Sequence, residues 1–286
     1  MTASDLVRPQ PDRAGSQAGD ARTPPTVTVV IPTCDERDNV EPLVRRLEAS
    51  LRPPGVSVLF VDDSSDGTPE VIASLTSTFP VRVLHRRPED RRGGLSGAVV
   101  AGLRGAGTDL VVVMDGDLQH PPEMVYVLFE RAVQTGADVV VASRYTGSGD
   151  SAGLDGALRH LVSSAATRLA KAVFPRRLRG CSDPMTGFFC LRTSSLDPDA
   201  LHPSGFKILL EVLVGGGARG RTVVEVPFVF ARRPAGTSKS SLRQGLLFLA
   251  QVTRLRFAAA PGCPDDGPAA VPDHALPSEP GDQDVP

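Results

Sequence analysis

Asp115 and Asp117 stand one residue apart in the stretch 109–122, DLVVVMDGDLQHPP. The apolar run ahead of them reads as a buried parallel strand. Both carboxylates then fall at its carboxyl end, where open α/β sheets bind ligands. Side chains two residues apart on an extended segment point the same way. Asp115 and Asp117 can therefore converge on one hard cation, with Gln119 as a further oxygen ligand. Mg²⁺ or Mn²⁺ held by a few oxygens keeps positions open for phosphate. The chemistry expected is a metal–diphosphate site. The same residues also fit an ordinary acidic strand-to-loop turn with Gly116 supplying the bend, because so short a pattern recurs by chance. His120 invites assignment as a base, but a place just ahead of the helix that Pro121 begins suits it better.

The elements that must position these carboxylates repeat one grammar. VTVVIPT is a β-branched strand stopped at Pro32, followed by a charged turn (residues 34–39) and a helix with Asn39 as N-cap and Pro42 in its first turn. VSVLFV is the next strand. Asp62 and Asp63 open its polar turn, Thr68 caps a helix and Pro69 takes that helix's first position. VRVLHR is the third strand, and Gly93-Gly94 opens a helix whose small residues (Gly97, Ala98, Ala101, Gly102) suggest close packing on the sheet. After the DxD strand comes a helix with Val125, Leu128, Phe129, Ala132 and Val133 inward, then a fifth strand, ADVVVASRY. Strands alternating with helical patterns predict an α/β fold with a mostly parallel, helix-covered sheet.

The second half changes character. A Gly/Ser/Asp loop (147–156) precedes a long helix carrying Leu158, Leu161, Val162, Ala165, Leu169 and Val173. A short strand FFCLR, a helix FKILLEVLV and a strand TVVEVPFVFARR follow. A last helix places Leu242, Leu246, Leu249, Val252 and Thr253 on one face, with Leu247, Phe248, Leu255 and Phe257 widening the apolar arc. That face either packs on the domain or lies in a membrane interface.

Composition narrows the class. The 286 residues are enough for a real core, which aliphatics must build, since Trp is absent and aromatics are 5%. Residues 261–286 hold six acids and no Lys or Arg, leaving residues 26–260 with a net charge of +4 against −2 for the whole chain. A mildly basic body suits a phosphorylated ligand or an anionic membrane surface, and no nucleic-acid-binding motif is present. Four scattered cysteines without a CxxC pair argue against a disulfide scaffold or zinc site. The expected setting is reducing and cytoplasmic, since the N-terminus lacks a secretory signal and no apolar run could span a bilayer. Residues 1–25 and 261–286 have disordered-tail composition. Neither G-x-G-x-x-G after the first strand nor a P-loop pattern occurs.

IPTCDERDNV, VDDSSDGT, MDGDLQHPP, ADVVVASRY, SDPMTGFF and ARRPAGTSK occur in this order across residues 31–239. In these motifs the chain resembles the family 2 glycosyltransferases of GT-A fold, and among them the dolichol- (polyprenol-) phosphate mannose synthases. The resemblance implies inverting transfer of a hexose, mannose from GDP-mannose, to a polyprenyl monophosphate in a membrane. It makes residues 26–240 the transferase domain, with a nucleotide-binding half (26–145) and an acceptor half (146–240), and 241–260 a C-terminal amphipathic helix. It implies that Pro32, Cys34 and Glu36 contact the nucleotide, with Val61 and Asp63 beside base and ribose. Asp115, Gly116, Asp117 and Gln119 form the Mg²⁺ or Mn²⁺ and diphosphate site. Arg144 meets the sugar nucleotide or the acceptor phosphate. Arg233 and Lys239 bind phosphates and, with Asp117 and Arg144, form the catalytic set. Asp183 orients the acceptor.

Each role has a structural counterpart. Asp62 and Asp63 can cap a turn, Glu36 can pair with Arg37, and Arg144 can partner a strand-end carboxylate. Arg233 and Lys239 can be a solvated loop, and Asp183 can shape a turn before Pro184. Cys34 departs from the family, which usually has Tyr there to pack on the nucleotide. Membrane docking is expected through the last helix or a separate membrane partner. Other readings are a transferase using another donor such as UDP-glucose, a nucleotidyltransferase, and a non-catalytic sugar-nucleotide-binding scaffold.

Overall fold

The computed structural model describes residues 24–51, 55–146, 157–203, 207–215, 221–231 and 242–258. Of the expected tails, 1–25 and 261–286, residues 1–23 and all of 261–286 lie outside the described residues, as does the segment 232–241 with Arg233 and Lys239. One seven-stranded sheet organises the rest, in the order β3-β2-β1-β4-β6-β5-β7. Its strands are β1 (Val27–Thr33), β2 (Val56–Asp62), β3 (Val81–His85), β4 (Leu110–Val113), β5 (Val139–Ser143), β6 (Phe189–Arg192) and β7 (Val223–Pro227). All pairings are parallel except those of β6, which runs antiparallel to both β4 and β5. The mostly parallel α/β sheet anticipated from sequence is the one observed.

The central strands are apolar because both faces are covered, whereas the edge strands β3 and β7 are only partly buried. Val27, Val29 and Ile31 of β1 and Leu110 and Val112 of β4 face α1 (Arg37–Ser50), α2 (Thr68–Ser74) and α4 (Met124–Thr135). Val30, Val111 and Val113 face the opposite layer, built from α3 (Gly94–Ala106), α5 (Ala157–Val173), α6 (Ile208–Val214) and α7 (Leu242–Ala258). The small residues of α3 bring it close to the sheet, as expected. A Cβ on Gly102 would overlap Val30 Cγ1 and stand 3.2 Å from Val61 Cγ2.

Several local expectations are corrected. Asn39 is not an N-cap: α1 begins two residues earlier, after Glu36, and Asn39 Nδ2 donates to Glu36 Oε2 (2.5 Å). Thr68 is the first residue of α2 rather than its cap; the Asp66 carboxylate accepts its N–H (3.1 Å), and Pro69 comes second. Val133 of α4 and Leu169 of α5 point outward; Ala170 and Phe174 are buried instead. In α7 the expected face is rotated. Phe248, Gln251, Val252 and Leu255 are buried, while Leu246, Leu249, Thr253 and Phe257 face outward. The cause is polar. Buried Glu211 of α6 accepts from Arg254 (2.7 Å) and Gln251 (3.2 Å), which fixes the rotation of α7.

Candidate active site

The chain crosses β1 between β2 on one side and β4 on the other, the switch point where doubly wound sheets open a crevice at the strands' carboxyl ends. A cleft of about 340 Å³ lies there. The end of β1 supplies Pro32, Thr33 and Cys34, with Glu36 beyond it. Asp63 comes from the end of β2, Gly94, Leu95 and Ala98 from the start of α3, and Asp115, Gly116 and Asp117 from beyond β4. Seven of the sequence-predicted residues thus share one wall-to-wall space. Gly94, Leu95 and Ala98 were not among the predicted site residues, although the Gly93-Gly94 helix start was visible. Gly116 does not supply a bend through positive φ. It is needed because β1 is close: a Cβ there would stand 3.2 Å from Thr33 Cγ2.

The segment 115–120 is not the extended strand continuation expected. β4 ends at Val113, and Leu118 adopts φ 63°, a left-handed conformation uncommon for a residue with a side chain. The chain therefore folds back on itself. Asp117 Oδ1 accepts the Gln119 N–H (3.1 Å), and His120 Nδ1 accepts the Asp115 N–H (3.0 Å). The two carboxylates still reach the cleft, but through a closed loop rather than strand alternation. Gln119 does not line the cleft; its side-chain amide donates to Ala231 O (3.2 Å), and the Ala231 N–H returns a bond to Gln119 O (3.0 Å).

Asp63 is held at the cleft edge by Arg86, whose Nε and Nη2 contact its two oxygens at 2.8 and 2.5 Å. Asp63 is engaged by Arg86, while Asp62 does cap the turn: its Oδ2 accepts the Ser64 N–H at 3.2 Å. Asp62 is fully buried and accepts from Thr33 Oγ1 (2.8 Å) and Ser64 Oγ (2.5 Å), with His85 Nδ1 at 2.7 Å. Val61 does not line the cleft; its side chain sits in the core against α3. Cys34 is exposed, its thiol 3.9 Å from Asp63 O.

Arg144, beyond β5, is 8% exposed and makes a two-point pair with the fully buried Asp183: Nε to Oδ2 at 2.7 Å and Nη2 to Oδ1 at 2.9 Å. The Arg144 guanidinium also lies 5.7 Å from the centre of the Phe230 ring. Burial draws its pKa down, but the Asp183 bond and charge more than offset that, leaving it raised. The loop carrying Asp183 is itself anchored. Glu225 of β7 accepts from the Ser182 N–H (2.7 Å) and hydroxyl (3.0 Å) and from the Asp183 N–H (3.3 Å). Burial above all raises the Glu225 carboxyl. Lys207 was not anticipated. Its Nζ donates to Met185 O (2.9 Å), and burial, with the Arg144 charge, lowers its pKa to about 8 while Asp183 and Asp115 act the other way. A single lysine in an apolar helical stretch carries no motif, which is why sequence reasoning passed over it.

The donor chemistry fits a hard divalent cation. Asp115 and Asp117 put carboxylate oxygens on the cleft wall, and among the described residues no group of three His, Cys, Asp or Glu completes a protein-only set. Mg²⁺ and Mn²⁺ are commonly held by one or two carboxylates plus substrate phosphates.

The mostly parallel sheet with a cleft at its switch point is an α/β fold of GT-A type. Residues 28–196 match the family model described as glycosyl transferase family 2, and the chain belongs to that family. It is 40% identical over 230 residues to the dolichol-phosphate mannosyltransferase of Pyrococcus furiosus, an alignment covering 80% of this chain but 63% of that protein's length. It is 37% identical to the enzyme of the same name from Mycosarcoma maydis, over 91% of this chain and 89% of that one. Among solved structures, glucosyl-3-phosphoglycerate synthase from Mycobacterium tuberculosis superposes with a TM-score of 0.57 at 22% identity, over 82% of this chain and 80% of that one, a likeness of fold.

Proposed function

We propose that this chain is an inverting, metal-dependent transferase that moves mannose from GDP-mannose to a polyprenyl, dolichyl-type monophosphate. The observation that carries the reading is the shared cleft: Pro32, Glu36 and Asp63 meet Asp115 and Asp117 at the switch point of the sheet. The relatives' names supply the sugar and the lipid. In this reading Asp115 and Asp117 hold Mg²⁺ or Mn²⁺, which when bound neutralises charge on the diphosphate leaving group. Gln119 stays a loop anchor unless its amide turns from Ala231.

The chain's own residues do the rest. Glu36 and Asp63 orient the nucleotide. Arg144, fixed by Asp183, and Lys207 present positive charge to the acceptor phosphate, which is already largely ionised at pH 7, its second pKa being about 6. Such an acceptor needs positioning more than a strong base. Arg233 and Lys239 add charge at the leaving diphosphate in this reading. Docking at a membrane uses the outward face of α7, with Leu246, Leu249 and Phe257; no helix among the described residues is long and apolar enough to cross a bilayer.

A panel of nucleotide sugars with a short polyprenyl phosphate and Mn²⁺ or Mg²⁺ tests this. Mannosyl-lipid and GDP formed from GDP-mannose alone are expected. Exposed Cys34, in place of an aromatic, favours one second reading, a different donor base; a product from UDP-glucose would establish it. Pyrophosphate release from a nucleoside triphosphate would make the chain a nucleotidyltransferase. Failure to release nucleoside diphosphate from any donor would make it a binding scaffold.

A further inference from the structure

We infer that His120 is a positioning residue for the metal site: its imidazole fixes the backbone of Asp115 and thereby aims that carboxylate into the cleft. The inference rests on the metal-dependent reading above. Its own basis is geometric. His120 Nδ1 accepts the Asp115 N–H at 3.0 Å and lies 3.7 Å from Asp115 Oδ2, so the ring holds both the backbone and the carboxylate end of that residue. This bond closes the loop that the left-handed Leu118 turns back and that the Asp117–Gln119 bond tightens.

The ring cannot rotate away from this task. His120 is 2% exposed and stacks on Phe188, ring centres 4.8 Å apart and planes inclined by 19°. The edges of Phe228 and Phe230 close the other sides at 5.9 and 5.6 Å. An aromatic box of this kind holds Nδ1 in one direction without competing for its lone pair. On the far side Gly187 leaves space for the carboxylate: a Cβ there would stand 3.3 Å from Asp115 Oδ1 and 3.6 Å from His120 Cε1. The imidazole thus sits against both the backbone N–H and the carboxylate of Asp115, with Gly187 beside both residues. His120 does not line the cleft and touches no reacting atom in this reading, so its role is exerted through Asp115.

The test separates the ring from its acceptor. His120→Phe keeps the stack on Phe188 and removes the acceptor. His120→Asn gives up the ring and keeps an oxygen near the Nδ1 position. Mn²⁺ affinity of the full chain is measured in the presence of GDP, by the loss of the free-ion paramagnetic resonance signal, alongside the melting temperature. Removing a hydrogen bond that orients a metal ligand weakens metal binding by about 10–100-fold. That loss is expected for His120→Phe with little change in melting temperature, and with His120→Asn recovering much of it. A purely structural role would lower melting in both variants and leave Mn²⁺ affinity of the folded protein at the wild-type value, which would overturn the inference. If His120→Phe does not fold, His120→Gln against His120→Asn decides: Gln moves the acceptor by one bond and is expected to bind Mn²⁺ more weakly, and equal affinities overturn the inference. Wild-type chain that binds no Mn²⁺ with GDP present would overturn the metal reading and this inference together, whereas wild-type affinity in His120→Phe overturns this inference alone.

Discussion

At the scale of single residues, the site depends on charges that cannot be taken singly. Arg144 and Asp183 are both buried and satisfy one another at two points. Removing one partner strands the other, which costs about 3–5 kcal/mol where a buried pair is broken. Asp183→Ala is therefore expected to lose stability of that order in urea unfolding, and a loss below 1 kcal/mol would show the pair to be solvated. Lys207 makes a different prediction. Its ammonium, with a pKa near 8, loses charge just above neutrality. If it faces the acceptor phosphate, kcat/KM for the lipid falls as pH rises through about 8, and Lys207→Arg, which stays charged, removes that limb. Stability runs the other way. Because the folded-state pKa is depressed, the unfolded chain binds more protons between about 8 and the ordinary lysine value of 10.5, so this residue's contribution rises with pH across that window. A pH profile identical in wild type and Lys207→Arg would remove Lys207 from the site.

At the scale of elements, the readable features were those fixed by one segment's own pattern. The five strand-and-helix units were legible because the strands are short apolar runs, four of them buried on both faces, and each helix is bounded by Gly, Pro or a polar turn. The rotation of α7 was not legible. Leu, Phe and Val occupy so many of its positions that periodicity allows more than one inward face, and the choice is made by Glu211, about 40 residues away, bonding Arg254 and Gln251. The close approach of α3 was legible from its small residues, and it has a measurable consequence. Ala in place of Gly gains up to about 1 kcal/mol of helix propensity. At position 102 the new methyl meets Val30 and Val61, both buried with no room to move. Overpacking of that kind costs about 1–3 kcal/mol. Gly102→Ala is thus expected to lower the melting temperature, and a variant as stable as wild type would mean that α3 can lift from the sheet.

For the whole molecule, legibility stops where contacts cross the sequence. Short motifs located Glu36, Asp63, Asp115 and Asp117, and the fold gathers these four in one cleft. Motifs could not tell that Arg86 grips Asp63, that Glu225 anchors the loop of Asp183, or that β6 inserts antiparallel between β4 and β5. Those relations join separate elements and leave no local pattern. The same division decides how the molecule would meet its lipid. The inward side of α7 is committed to the core, while Leu246 is 68%, Leu249 49% and Phe257 81% exposed on the outward side. Apolar side chains on one helix face drive interfacial binding in proportion to the area they bury in lipid, aided by a basic body facing anionic headgroups. Leu249→Asp combined with Phe257→Asp removes most of that drive at side chains that are about half or more exposed. The double variant is expected to keep its melting temperature and its turnover of a short, water-soluble polyprenyl phosphate. It is also expected to lose cosedimentation with anionic phospholipid vesicles and turnover of long-chain acceptor embedded in them. Undiminished vesicle binding would move the docking surface away from α7, and lost turnover of the soluble acceptor would mean that this face serves the site rather than the membrane.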